Sequence, residues 1–243
     1  MKLTPIYAIA QDLNAQFIDR AGWQVPASFS AFEAEVAAAR DGVALADLSA
    51  NGKLTVEGRR ALDFLQTLWK LPPLEISQGA TIETGFLDRK FKKCKASVFR
   101  ETRFLGFYRL RADLFFIAAP PGLEAEVEQT LTGAALSFPD LITVTDLTHG
   151  RAELRLIGPA SAELLSRLCS LDFHPAAFPN LTARQSSVAK TAQLIIRADL
   201  VELPAFSLIG ASSLGAYLWE TIMKAGRDLG IAPVGQTAIE RLG

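Results

Sequence analysis

One unit of this chain is written twice, and that constrains its fold more than any other feature. Asp47-Leu48-Ser49-Ala50-Asn51-Gly52-Lys53-Leu54-Thr55-Val56-Glu57-Gly58 runs into Arg59-Arg60-Ala61-Leu62-Asp63-Phe64-Leu65. Further on, Asp146-Leu147-Thr148-His149-Gly150-Arg151-Ala152-Glu153-Leu154-Arg155-Leu156-Ile157-Gly158 runs into Pro159-Ala160-Ser161-Ala162-Glu163-Leu164-Leu165. Each copy reads as Asp-Leu-Ser/Thr, a short alternating strand, a glycine turn and an amphipathic helix ending in a Leu pair. Val98-Phe99-Arg100 and Ile195-Ile196-Arg197 form a second match at a similar spacing. A duplicated unit of this kind predicts two related halves, with ligand sites expected between the copies.

The 243 residues are enough for one large domain or two small ones, and the repeat favours two: residues 1–135 and 136–243. An apolar fraction of 49% with 21% charged residues describes a well-packed globule. A net charge of −1 gives no global attraction to nucleic acid or to an anionic membrane. The 2 cysteines, Cys94 and Cys169, fall short of a disulfide framework and fit a reducing compartment. The start, Met1-Lys2-Leu3-Thr4-Pro5-Ile6-Tyr7, lacks a signal-peptide apolar run, and no stretch is apolar enough to span a bilayer, so a cytoplasmic protein is expected.

Periodicity predicts helices over 4–20 and 31–40, with an irregular Gly22-Trp23-Gln24-Val25-Pro26 between them. A strand at 53–56 leads to a helix at 60–69, and Pro72-Pro73 then breaks the chain. Three strands are expected between Thr84 and Ala119, followed by a helix from Pro120-Pro121-Gly122 to about Leu131. The second half repeats the plan with strands at 152–157, 190–197 and 204–210, and helices at 160–169 and 213–229. Ser212-Ser213 is expected to cap the last helix and Gly230 to end it. The expected fold class is α+β: two related ferredoxin-like, split βαβ units.

The N-terminal residues carry a specific resemblance. Thr4-Pro5-Ile6-Tyr7, Ala21 to Pro26, Phe29-Ser30, Glu35, Arg40, Asp47-Leu48-Ser49, Gly52-Lys53, Val56-Glu57-Gly58 and Ala61 to Gln66 resemble the glycine-cleavage T-proteins, or aminomethyltransferases. Asp146-Leu147-Thr148, Leu156 to Pro159 and Ala162 to Leu165 fit the same superfamily. Cys169-Ser170-Leu171-Asp172-Phe173-His174-Pro175-Ala176-Ala177-Phe178-Pro179 and Ala216 to Glu220 are most similar to the gamma subunit of heterotetrameric sarcosine oxidase. The resemblance implies two α+β units packed as in the folate-binding domains of aminomethyltransferases. It covers nearly all of this chain and about two-thirds of a full T-protein, whose C-terminal barrel domain is not represented.

That resemblance also implies a set of chemical groups. T-proteins carry a Gly-Gly-Ile-X-Asp-Asp turn whose Asp lies beside the folate nitrogen receiving the one-carbon unit. In this chain the turn falls on Lys90-Phe91-Lys92-Lys93-Cys94-Lys95, and an ammonium cannot manage a proton or steady positive charge as a carboxylate does. Asp88 is the nearest acid and the candidate catalytic residue. The family's Thr-Gly-Glu-Asp-Gly turn, whose Glu holds the pterin, corresponds to Arg197-Ala198-Asp199-Leu200-Val201-Glu202-Leu203-Pro204. Its glycines are missing here, and Glu202 is one position off. The cofactor-binding candidates are Glu202, Arg197, Lys92 and Lys93, with tetrahydrofolate as the cofactor. For Arg197 a strand-end ion pair is the competing role, and for Glu202 a solvated turn carboxylate.

Arg89, Lys90, Lys92, Lys93 and Lys95 make a basic segment suited to a folate polyglutamate tail, an acidic partner protein or, as the least favoured of the three, nucleic acid, though lysines also protect an edge hairpin. Cys94 among them has the setting of a reactive thiolate. Cys169 reads as core. No metal-ligand spacing involves His149 or His174. Retained scaffold and degraded turns together predict a non-catalytic accessory subunit of the sarcosine oxidase gamma type, working in a protein complex and needing neither membrane nor nucleic acid. The alternatives are an active tetrahydrofolate-dependent aminomethyl- or methyltransferase using Asp88 or Glu202, and an iron–sulfur assembly factor using Cys94.

Overall fold

The computed structural model describes residues 1–69 and 105–242. The chain is mixed α+β and opens with β1 (Lys2–Leu3), α1 (Tyr7–Asp12), β2 (Gln16–Arg20), β3 (Trp23–Ser28), α2 (Phe32–Asp41) and β4 (Ala44–Asp47). It continues through β5 (Gly52–Glu57), α3 (Ala61–Trp69), β6 (Gly106–Arg111), β7 (Leu114–Ala119), α4 (Glu124–Ala135) and β8 (Thr143–Asp146). Then come β9 (Arg151–Ile157), α5 (Ser161–Leu168), β10 (Ala183–Val188), β11 (Thr191–Arg197), β12 (Ala205–Ala211), α6 (Gly215–Ala225), β13 (Ala232–Val234) and α7 (Gln236–Leu242). Leu87, Asp88, the basic segment with Lys92 and Lys93, Cys94 and Val98-Phe99-Arg100 lie outside the described residues.

Two compact units interleave along the chain, where the sequence reading divides it consecutively. The first comprises 1–50, 150–180 and 185–243, and the second 51–149 and 181–184. Among the described residues, the first unit is built on the sheet β10-β11-β12-β9-β4-β13 and a small sheet β1-β3-β2. The second is built on the sheet β6-β7-β5-β8.

This interleaving follows from how the repeat folds. Each copy gives its leading strand to the other: β4 pairs antiparallel with β9, and β8 pairs antiparallel with β5. The Asp-Leu-Ser/Thr signature is the hook that fixes each exchange. In the first unit Asp47 Oδ1 accepts from Ser49 N–H (2.9 Å), Leu48 N–H donates to Glu153 O (2.9 Å), and Glu153 N–H donates to Ser49 Oγ (3.1 Å). In the second unit Asp146 Oδ1 accepts from Thr148 N–H (2.8 Å), Leu147 N–H donates to Lys53 O (2.7 Å), and Lys53 N–H donates to Thr148 Oγ1 (3.0 Å). A short acid bonding to a backbone amide two residues on makes a local turn, which is why Asp and a hydroxyl residue recur at this spacing.

The repeated glycines have one cause as well. A Cβ on Gly58 would lie 2.6 Å from Leu141 O, and one on Gly158 would lie 2.5 Å from Gly42 O. In both copies the chain leading into the exchanged strand presses its carbonyl against the strand-to-helix turn. Gly158 also sits at φ +126°, a conformation L residues rarely adopt.

One face of the large sheet packs against α1, α5 and α6 through Leu45, Leu154, Leu156, Ile195, Phe206 and Leu208. Trp219 lies fully within this core, and Cys169 joins it as expected. Tyr217 is 46% exposed and donates its hydroxyl to Ala189 O (3.1 Å). Three sequence expectations are corrected. The 4–20 segment splits into α1 and β2, because Asn14 at φ 57° reverses the chain. The stretch around Trp23 is strand β3 rather than irregular, with Trp23 buried as an anchor. Ser212 and Ser213 lie in a 3₁₀ turn before α6 and make no side-chain cap bond; α6 ends at Ala225, a second 3₁₀ turn following before Gly230 at φ 70°.

Candidate functional site

Two groups of polar residues on the large sheet carry the functional argument. The first is the loop end of the β11–β12 hairpin, where the T-protein-like resemblance expects a pterin-holding turn. Arg197, at the end of β11, is 7% exposed. Its Nε and Nη2 donate to the two carboxylate oxygens of Asp199 at 2.9 and 3.0 Å, and Nη1 donates to Phe178 O at 2.7 Å. The guanidinium also lies 5.6 Å from the centre of the Phe206 ring. A planar fork meeting a carboxylate two-on-two is the strongest arrangement an arginine makes, and it commits the side chain to the fold.

Asp199 is engaged in turn: Oδ1 accepts from Ala205 N–H (3.2 Å), and its own N–H donates to Asn180 Oδ1 (2.9 Å). The loop closes as a tight turn, with Leu200 and Leu203 exchanging backbone bonds of 2.9 and 3.0 Å. Val201 and Glu202 form its tip, and both are exposed. Val201 adopts φ 58°, a left-handed conformation costly for a β-branched residue, in the stretch where the family has glycine. The structure therefore places Arg197 in the ion pair weighed as its competing role, and Glu202 at the tip of a solvated turn. The two are not brought together. Asp88, Lys92 and Lys93 are outside the described residues.

The second group was not singled out from the sequence. Glu153, 6% exposed, alternates with the core residues Leu154 and Leu156 and so faces the other side of the sheet. There Glu153 Oε1 accepts from Ser207 Oγ at 2.9 Å, and Arg155 donates to Ala198 O at 2.6 Å. In the second unit, on the sheet β6-β7-β5-β8 and apart from this group, Lys53 holds the position in β5 that Glu153 holds in β9, each bonded to the hook of its own unit's exchanged strand. It is fully buried and donates Nζ to Asn51 O at 2.7 Å. In sequence both read as the solvent side of an alternating strand; their matching place in the repeat was the available signal. Chemically this group is a buried carboxylate already accepting from the Ser207 hydroxyl. The Arg197 turn offers a closed ion pair, with no glycine cradle through which a flat ring could reach the backbone.

These features lie on a scaffold with known relatives: residues 6–243 match the GCVT N-terminal domain. The chain belongs to that family. Among curated relatives, the aminomethyltransferase of Caldanaerobacter subterraneus subsp. tengcongensis is 26% identical over 243 residues, which is 100% of this chain and 62% of the relative. That of Lysinibacillus sphaericus is 27% identical over 238 residues, 97% of this chain and 61% of the relative. The chain thus spans somewhat under two-thirds of these proteins. Among solved structures, the glycine cleavage system aminomethyltransferase T of Bartonella henselae superposes with a TM-score of 0.78 at 21% identity, over 99% of this chain and 61% of that one. A chain of the heterotetrameric sarcosine oxidase of Corynebacterium sp. U-96 gives 0.62 at 19% identity, over 95% of this chain and 97% of that one. Both likenesses establish the GCVT-type α+β fold. Among the described residues, no helix is long and apolar enough to cross a membrane.

Proposed function

We propose that this member of the GCVT N-terminal domain family is a non-catalytic accessory subunit of one-carbon metabolism, of the sarcosine oxidase gamma type. The observation that carries the reading is the closed turn at 197–205: Arg197 is spent on Asp199 and Phe178, and glycine is replaced by a strained Val201. The sequence adds a second support, since lysines and Cys94 occupy the turn where the family's transfer carboxylate belongs. The likeness to a chain of a heterotetrameric enzyme supports a place in a complex.

Tetrahydrofolate enters the proposal only as a weak ligand without transfer chemistry, because the closed turn offers its pterin no cradle. Glu202 is the exposed carboxylate of the turn, and Lys92 and Lys93 are the cations assigned to its acidic tail; Arg197 is not available to it. A cytoplasmic location belongs to the same proposal. The test is purification of the full chain from its native host under mild conditions. Recovery in a stoichiometric complex, with no folate-dependent one-carbon transfer by the isolated chain, is expected. A stable monomer showing transfer that Asp88→Asn abolishes would overturn the reading in favour of the enzyme.

A further inference from the structure

Comparing the two exchanged strands reveals an asymmetry. Antiparallel ladders alternate between residues facing the partner and residues facing away. The bond from Leu48 N–H to Glu153 O sets that phase for β4, so Val43, Leu45 and Asp47 direct their backbone groups to the opposite edge. That edge is occupied: β13 runs parallel to β4, with Ala232, Pro233 and Val234 opposite Ala44, Leu45 and Ala46. Ala232 N–H donates to Val43 O (3.1 Å), and beyond the strand Gln236 Nε2 donates to Asp47 O (3.0 Å). The chain entering β13 covers position 42, where an added Cβ would meet Leu229 O at 3.1 Å.

β8 is the counterpart of β4, and the bond from Leu147 N–H to Lys53 O sets the same phase. Val144 and Asp146 therefore direct their backbone groups to the outer edge, with which no strand pairs among the described residues. Leu141, the counterpart of the covered Gly42, is 85% exposed, as is nearby Leu136. β8 itself has neither the proline, the lysine nor the bulge with which edges are usually blunted.

We infer that the outer edge of β8 is a docking site for an extended, apolar segment of a partner polypeptide, which pairs parallel to β8 as β13 pairs with β4. The internal copy specifies the occupant: a short strand of small and branched apolar residues whose lead-in covers Leu141. A donor side chain just past its end meets Asp146 O, as Gln236 meets Asp47 O. Strand addition of this kind draws affinity from main-chain bonds and specificity from alternate side chains. The site stands on the strand edge alone and does not depend on the accessory-subunit reading.

The test titrates the isotope-labelled full chain with a synthetic peptide of sequence Gly226–Thr237, watching backbone amide resonances. Millimolar peptide is expected to shift Val144 and Asp146 progressively. Val144→Pro should abolish those shifts, because it removes an outward N–H without removing a bond to β5. Leu141→Asp, at an exposed position, should weaken them without changing the melting temperature. Absent shifts, shifts falling on Ala44–Asp47 instead, or shifts surviving both substitutions would overturn the proposal. Concentration-dependent dimerisation that Val144→Pro removes would assign the edge to a second copy and overturn the hetero-partner. Neither folate nor transfer activity enters the readout, so the outcome is separable from that of the proposed function.

Discussion

A single carboxylate, Glu35, ties three backbone amides in the first unit. It is 1% exposed; Oε1 accepts from Phe29 N–H (2.5 Å) and Ser30 N–H (2.9 Å), and Oε2 from Gly235 N–H (2.8 Å). Glu35→Gln turns one acceptor into a donor facing a donor, and is expected to cost about 2–3 kcal/mol in urea unfolding. A midpoint unchanged from the parent would refute that bonding scheme. Arg197→Lys is the matching experiment at the turn. Lysine cannot bond both Asp199 oxygens and Phe178 O together, so a loss of about 1–3 kcal/mol is expected. If Arg197 instead served a ligand, the substitution would weaken binding while leaving stability intact. Sequence placed Arg197 at a strand end and named an ion pair among its roles, but its partners were not legible. Phe178 and Asn180 come from a loop whose return to β11 is a tertiary fact.

At the scale of elements, the repeat was legible because each copy carries its own turn chemistry: the Asp-x-Ser/Thr hook and the glycine before the helix. The exchange of strands was not legible, since β4 and β8 are four-residue strands whose partners are chosen by long-range packing. Likewise the 4–20 segment has helical apolar spacing, yet a reversal at Asn14 overrides it. The close carbonyl approach at both turn glycines gives a prediction. Gly58→Ala and Gly158→Ala should each destabilise by about 2–4 kcal/mol, Gly158→Ala the more because its backbone angle disfavours any side chain. Equal melting temperatures for all three proteins would contradict the shared role.

A pH dependence belongs to α5 and the turn after α6. Arg167 donates to Asp228 (2.6 Å), Glu163 (2.8 Å) and Ala225 O (3.0 Å). The hydrogen bond from Arg167 holds the Asp228 carboxyl below its ordinary value. A depressed carboxyl stabilises the fold above its unfolded value and loses that contribution as pH falls through its folded value. Melting curves of the parent and Asp228→Asn should differ slightly at neutral pH and converge in acid. A difference that widens below the carboxylate range would contradict this.

Over the whole molecule, composition and the duplicated unit fixed the class, and the family match agrees with the resemblance carried by residues 4–66 and 146–165. The candidate site was less legible. Its named residues fall partly outside the described chain, and the buried pair of positions Lys53 and Glu153 looks like ordinary strand alternation until the repeat is folded. The central claim is that a T-protein-type scaffold persists here with its pterin turn closed. Calorimetric titration of the full chain with tetrahydrofolate and 5-formyltetrahydrofolate, alongside Glu202→Ala, tests it most directly. The account predicts weak or no binding, with Glu202→Ala changing affinity less than about threefold, under 1 kcal/mol. Micromolar binding that Glu202→Ala weakens by about tenfold or more would show the turn to be a working pterin clamp and would contradict the account.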